Sequence, residues 1–289
     1  MFFKNQKFEI KDGILIRSKD ELAESAVIPD NVTEIGKGAF FNHKYLREVV
    51  IPNGVQVIGQ SAFEGCEALN ALELPLSIRT IQQSAFQRSG IGNIVIPEGV
   101  ALIQTETFRS CSELTSVTLP KSLTSIHISA FENCENLSNI TLPQNLSDIG
   151  KSAFSGCKKL TEITIPPFVR KISPLAFGGC ESLVRVMFSE GLSHIGHSAF
   201  DGTAINELDL PESLEKIDAM SIGIHLTKIT IPYHIEKFSP FDPIELSLQP
   251  NNKPLTIIIR RDGKSYEFIV DKKETARPEF WSELKSKCM

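Results

Sequence analysis

Phenylalanine recurs in this chain on a fixed beat. It stands at 40, 63, 86, 108, 131, 154, 177 and 200, with steps of 23, 23, 22, 23, 23, 23 and 23 residues. Seven of these eight follow an alanine, and Phe108 follows Thr107. Proline keeps the same interval, at 29, 52, 75, 97, 120, 143 and 166 and again at 211 and 232, with Ser189 in the slot of the missing one. Two residue types on one period specify an internal repeat, and a period of this length specifies a stacked array. The repeat also accounts for 18 Phe against 3 Tyr and 1 Trp, and for most of the six Cys.

Aligned on the beat, each unit reads L-x-x-I-x-[LI]-P-x-x-[VL]-x-x-I-G-x-x-A-F-x-x-C, as in the two copies Leu137–Pro143 and Leu160–Pro166. The I-x-L segment alternates and reads as a short strand. Ile140 and Leu142 then point inward, and Asn139 and Thr141 outward. Proline ends the strand because it has no N–H for the ladder. Gly36, Gly59, Gly150 and Gly196 suit a turn that needs positive φ. The run Ser152–Cys157 predicts a single helical or 3-10 turn, its Ala allowing close packing and its Phe filling the core. One unit cannot bury its apolar face alone, so stability must come from neighbours stacking like on like.

The beat fades after Phe200. A hairpin is expected over residues 8–16, with an Asp12-Gly13 turn. A second is expected from 255–260 and 265–270 around Arg261-Asp262-Gly263-Lys264. Residues 278–287 read as a short helix with Pro278 near its start and Phe280, Trp281 and Leu284 on one side. Residues 239–254 are Pro-rich and are expected to end the array. The organisation expected is a hairpin cap at 1–26, a solenoid at 27–238 and a hairpin plus short helix at 239–289, the last a cap or a small appended module. The fold class expected is α/β but β-rich: about nine to ten coils of 23 residues with short strands and single turns.

The A-F-x-x-C, V-x-x-I-G and L-x-x-I-x-[LI]-P elements resemble the BspA-like (Treponema pallidum-type) leucine-rich repeats over about residues 27–238. The opening KDGILI followed by VIPDNVTEIGKGAF is similar to the way such arrays begin. The resemblance implies a right-handed leucine-rich solenoid, and a role in adhesion or in binding host or bacterial proteins.

The formal charge of −5 and pI near 5.8 argue against nucleic acid as the main partner. No run of 18 apolar residues is present, so membrane insertion is not expected. The start, Met1 to Lys7, lacks the apolar centre of a signal peptide. The location expected is therefore the cytoplasm, or the cell surface or exterior if a leader was removed. A monomer is expected.

Cys66, Cys111, Cys134, Cys157 and Cys180 each fall three residues after a repeat Phe. They lack the C-x-x-C pairing of a zinc site, and vectors pointing the same way suit disulfides poorly. A buried column of thiols is expected, with His43, Ser89 and Thr203 in the same slot elsewhere and Cys288 outside it as an exposed thiol. His194 and His197 are three apart with no recurring carboxylate or thiol beside them. No nucleophile–base set, phosphate loop or carboxylate pair stands out, so neither catalysis nor a cofactor or metal is expected.

The outward strand positions remain as the candidate binding surface. One column runs Val50, Glu73, Val95, Thr118, Thr141, Thr164, Met187, Asp209, Thr230. The other runs Glu48, Ala71, Asn93, Ser116, Asn139, Glu162, Arg185, Glu207, Lys228. The residues singled out are Asn93, Ser116, Thr118, Asn139, Thr141, Glu162, Thr164, Arg185 and Met187, as a concave face for a protein ligand. Alternatives are an exported adhesin of a host-associated bacterium and an enzyme using the C-terminal segment or a groove edge.

Overall fold

The structure, a computed structural model, describes residues 7–223, 225–235, 254–277 and 279–288. It is a solenoid in which each coil contributes two short strands to two separate columns. The first column takes the I-x-L segments, such as Glu48–Val50, Asn93–Val95, Ser116–Thr118 and Glu162–Ile165. The second takes the x-I segments before the glycine slot, such as Val57–Ile58, Ser125–Ile126 and His194–Ile195. Within each column the strands pair in parallel, one coil on the next.

The repeat phenylalanines run up the centre. All eight are fully buried. Consecutive rings from Phe40 to Phe200 are stacked at centroid separations of 5.1 to 5.5 Å and within 10° of parallel. Each fully buried Phe contributes about 1.5–3 kcal/mol by transfer from water. The backbone follows the same stack: the N–H of Phe40, Phe63, Phe131 and Phe154 donates at 2.8 Å to the carbonyl of the alanine before the next coil's Phe. Thr107, the one departure from alanine before a repeat Phe, is fully buried and satisfies its hydroxyl on the Gln104 carbonyl at 2.8 Å.

Two expectations about this corner need adjustment. The three-residue hydrogen bonds of the expected 3-10 turn are present, as from Ala153 to Gly150 and from Cys157 to Phe154, but they do not run consecutively as in a helix. Overlapping three-residue hydrogen bonds alternate with bonds to the next coil, and two residues per coil take left-handed backbone. Ser61, Ser84, Ser129, Ser152 and Ser198 do so before the alanine, at φ of 51° to 56°, and Asn42 and Asn133 do so before the cysteine slot. A left-handed non-glycine residue costs roughly 1–2 kcal/mol, offset here because those N–H groups reach the next coil, as Ser61 does to Gln83 at 3.1 Å. The second correction concerns Gly36, Gly59, Gly150 and Gly196, none of which has positive φ. They are small because coils touch there. A Cβ on Gly59 would lie 2.7 Å from the Gly36 carbonyl carbon, and one on Gly150 would lie 2.6 Å from that of His127.

Both ends carry hairpins. Phe8–Lys11 pairs antiparallel with Ile14–Ser18 through Asp12 and Gly13, both at positive φ, and Ile14–Ser18 then pairs in parallel with Glu34–Ile35 of the second column. Phe8 closes the ring stack edge-on against Phe40 at 6.1 Å. At the other end, Leu255–Arg261 pairs in parallel with Lys228–Pro232 and antiparallel with Lys264–Val270, so the tail extends the first column. The helix Phe280–Ser286 buries Phe280, Trp281 and Leu284. Arg260 reaches past Lys228–Pro232 to the coil before it, through Asp209 at 3.1 Å and Glu212 at 2.7 Å. The proline-rich 239–253 and Pro278 lie outside the described residues.

Replacing Gly59 or Gly150 with alanine is expected to lower unfolding stability by about 1–3 kcal/mol, the range for overpacking. Gly54, whose added Cβ would meet nothing nearer than 3.5 Å, is expected to tolerate alanine within about 0.5 kcal/mol. Urea denaturation of the three variants checks this, and equal losses at all three would contradict the contact reading.

Candidate functional site

The outward residues of the first column lie where alternation puts them. Asn93, Thr118, Asn139, Thr141, Glu162, Thr164, Arg185 and Met187 are exposed, and Ser116 is half-buried. The strand ladder joins them in two groups. Asn93, Ser116 and Asn139 are cross-strand neighbours, with Thr118 beside Val95. Glu162 faces Arg185 and Thr164 faces Met187. Thr141 follows the end of its strand, and no ladder joins Asn139–Ile140 to Glu162–Ile165. The threonine strip read from the sequence is therefore interrupted. A shallow hollow of about 460 Å³ spans the interruption, lined by Ser116, Thr118, Lys121, Asn139, Thr141 and Glu162. Beyond it Arg185 approaches Glu162 at 3.6 Å with both side chains exposed, a geometry worth roughly 0–1 kcal/mol.

Behind this face the cysteine slot forms a column with no access from outside. Cys66, Cys111, Cys134, Cys157 and Cys180 are fully buried. Each thiol donates to the carbonyl of the repeat Phe one coil back, at 3.0 to 3.3 Å. Burial pushes the thiols of Cys66 and Cys180 up to about 12 and that of Cys111 to about 11. Burial likewise raises Cys134 and Cys157 well above the usual thiol range. Such groups are neither nucleophiles nor metal ligands at neutral pH. Ser89 and Thr203 take the slot in coils one residue shorter between slot and next apolar anchor. Ser89 sits 3.4 Å from the Cys111 sulfur, and Thr203 donates to Phe200 within its own coil. Cys288, expected to be exposed, is buried at the end of the last helix.

The model described as BspA type Leucine rich repeat region matches six copies over residues 19–134 and 101–223. The chain belongs to that family. Among solved structures, this BspA-type chain is similar to a leucine rich cell surface protein of Faecalibacterium prausnitzii A2-165 (21% identity, 91% of this chain and 95% of that one, TM-score 0.49). It is also similar to the leucine rich repeat protein of T. pallidum (26% identity, 69% and 88%, TM-score 0.48). Among curated proteins nothing matches it.

The BspA-type array also holds a charged cluster that the sequence reading did not find. His194 Nε2 lies 2.9 Å from Asp218, and Lys216 Nζ lies 2.6 Å from the same carboxylate. Burial raises the Asp218 carboxyl, but hydrogen bonds from Lys216 and His194 outweigh it and hold the group below its ordinary range. His194 does have a carboxylate beside it, supplied by the next coil. The available signal was that Asp218 is the acidic residue in a slot that holds glycine in four coils and Gln82, Gln104, His127 or Ser173 in the others. Among the described residues no group of three or more His, Cys, Asp or Glu is arranged to hold a metal ion.

Thiol titration should find six reactive cysteines in denaturant and none reacting quickly in the folded chain. Two or more missing in denaturant would refute the reduced column. Because the folded thiols stay protonated where unfolded ones ionise, the folded state binds more protons above pH 9.0, the ordinary thiol value. Stability contributed by the column is therefore full below pH 9 and is lost as pH rises toward 11–12. A Cys134→Ala variant should show a shallower decline in denaturation curves between about pH 8 and about pH 10, roughly one unit either side of the unfolded thiol value of 9.0.

Proposed function

We propose that this chain is a non-enzymatic binding protein that presents the outer face of its first strand column to another protein. The observation that carries the reading is the hollow over Ser116, Thr118, Lys121, Asn139, Thr141 and Glu162. It is open and rimmed by polar side chains, and it is carried on stacked coils whose core is fully buried; recognition sites on pre-organised scaffolds lose little entropy on binding. It lacks the Tyr, Trp and Arg anchors of tight interfaces, so affinity is modest or depends on several contacts along the array. Membership of the BspA-type repeat family supports a repeat protein that works by binding. Export and adhesion at a cell surface are the second reading, in line with what the resemblance to BspA-like repeats implies.

The test is a pull-down from native cells with the intact chain and with Thr118, Thr141 and Thr164 each replaced by Glu. Loss of the captured partners supports this face. An unchanged set removes it from consideration, and fractionating the same cells decides between a cytoplasmic and a surface location.

A further inference from the structure

The N-terminal half of the same face carries exposed valines and carboxylates where the hollow carries threonine and asparagine. Val27 is 68% exposed, Val50 48% and Val95 64%. Val27 and Val50 are cross-strand neighbours, so they form a contiguous apolar surface rather than scattered residues. Among them stand two exposed carboxylates, Glu48 and Glu73. Glu48 pairs in register with Ala71, whose short side chain leaves a depression of about 450 Å³ bordered by Glu48, Val50, Glu73 and Asn93.

The carboxylates are uncompensated. No outward position from Ser25 to Thr141 in either column is a lysine or arginine. Arg47, next in sequence, already approaches Glu24 at 3.6 Å. Elsewhere on the face charges are matched, Glu162 by Arg185 and Asp209 by Arg260. Among the described residues, neither Glu48 nor Glu73 makes an ion pair.

Resting on the binding reading above, we propose that this apolar and acidic surface docks an extended protein segment whose every second residue, the ones on one face, is in turn aliphatic and lysine or arginine. Residues i and i+2 of an extended segment share a face, so an aliphatic–basic–aliphatic series at every second position would set apolar side chains over the Val27–Val50 pair and over Val95. The basic side chains would lay their aliphatic stems in the Ala71 depression and carry their charge to Glu48 and Glu73. Nucleic acid and anionic lipid are repelled by the same carboxylates. A second copy is disfavoured by the chain's own net charge of −5.

The experiment uses the full chain and three labelled octapeptides (a length spanning roughly 27 Å when extended): Lys-Ser-Val-Ser repeats (the Lys–Val peptide), Glu-Ser-Val-Ser repeats (the Glu–Val peptide) and Lys-Ser-Ser-Ser repeats (the Lys–Ser peptide). The Lys–Val peptide should bind with an affinity that falls with added salt and should shift amides at 48–50, 71–73 and 93–95. The Glu–Val peptide should not bind, and the Lys–Ser peptide should bind more weakly. Combining Glu48→Gln with Glu73→Gln should weaken Lys–Val binding roughly three- to tenfold, as expected for two exposed ion pairs. These exposed changes leave the core untouched, and an unchanged thermal transition confirms it. Equal binding by the double variant overturns the proposal, as do shifts mapping elsewhere or concentration-dependent self-association that the double variant abolishes. The threonine-to-glutamate variant separates the two readings. If it loses cellular partners while the Glu48→Gln, Glu73→Gln chain binds the peptide like the parent, this inference falls and the broader one stands.

Discussion

Every coil in this protein is held by the coil beside it. The repeat phenylalanines stack ring on ring, and the backbone N–H of each bonds to the carbonyl ahead of the next ring. The two interactions demand the same spacing, so ring, backbone and strand registers cannot shift independently. The glycine slot follows from this demand: at Gly59 and Gly150 the neighbouring backbone occupies the space a side chain would need. The cysteine slot follows as well, since a thiol is small, apolar and able to donate weakly to the Phe carbonyl one coil back.

Period, strands, terminal hairpins and outward columns could be read from sequence because each is a local pattern repeated many times. What escaped reading depends on neighbours a full coil away. The glycines were assigned positive φ, whereas the positive φ belongs to Ser61, Ser129, Ser152 and their equivalents. Serine and asparagine carry no fixed sign of left-handed backbone, and only the bonds between coils make it tolerable. Likewise His194 and Asp218 are 24 residues apart in sequence and meet only because the coils stack. Cys288 looked exposed because it lies outside the repeat, yet the last helix buries it. The interruption of the threonine strip at Thr141 leaves no trace in the sequence pattern, which continues through it.

Irregularities fall where the array changes character. The coils with Ser89 and Thr203 in the thiol slot are also shortened, and a Cβ on Gly90 would collide with the Glu67 carbonyl. The shortened coil beginning at Ser89 lies beside the apolar and acidic stretch, and that at Thr203 leads into the strand whose Asp209 is held by Arg260 of the tail. At the C-terminal end the array does not stop at its last repeat: the tail supplies two further strands to the first column and locks them with Arg260.

Alternation along each short strand separates two vocabularies. Val49, Ile94, Val117, Ile163 and Val186 face the interior and are nearly invariant in kind. The residues on either side of them face outward and range over valine, glutamate, asparagine, threonine, arginine and methionine. A coil can therefore change what it displays without changing what it buries. Along this rod, recognition is written one coil at a time on a scaffold that does not have to be refolded to accept a new text.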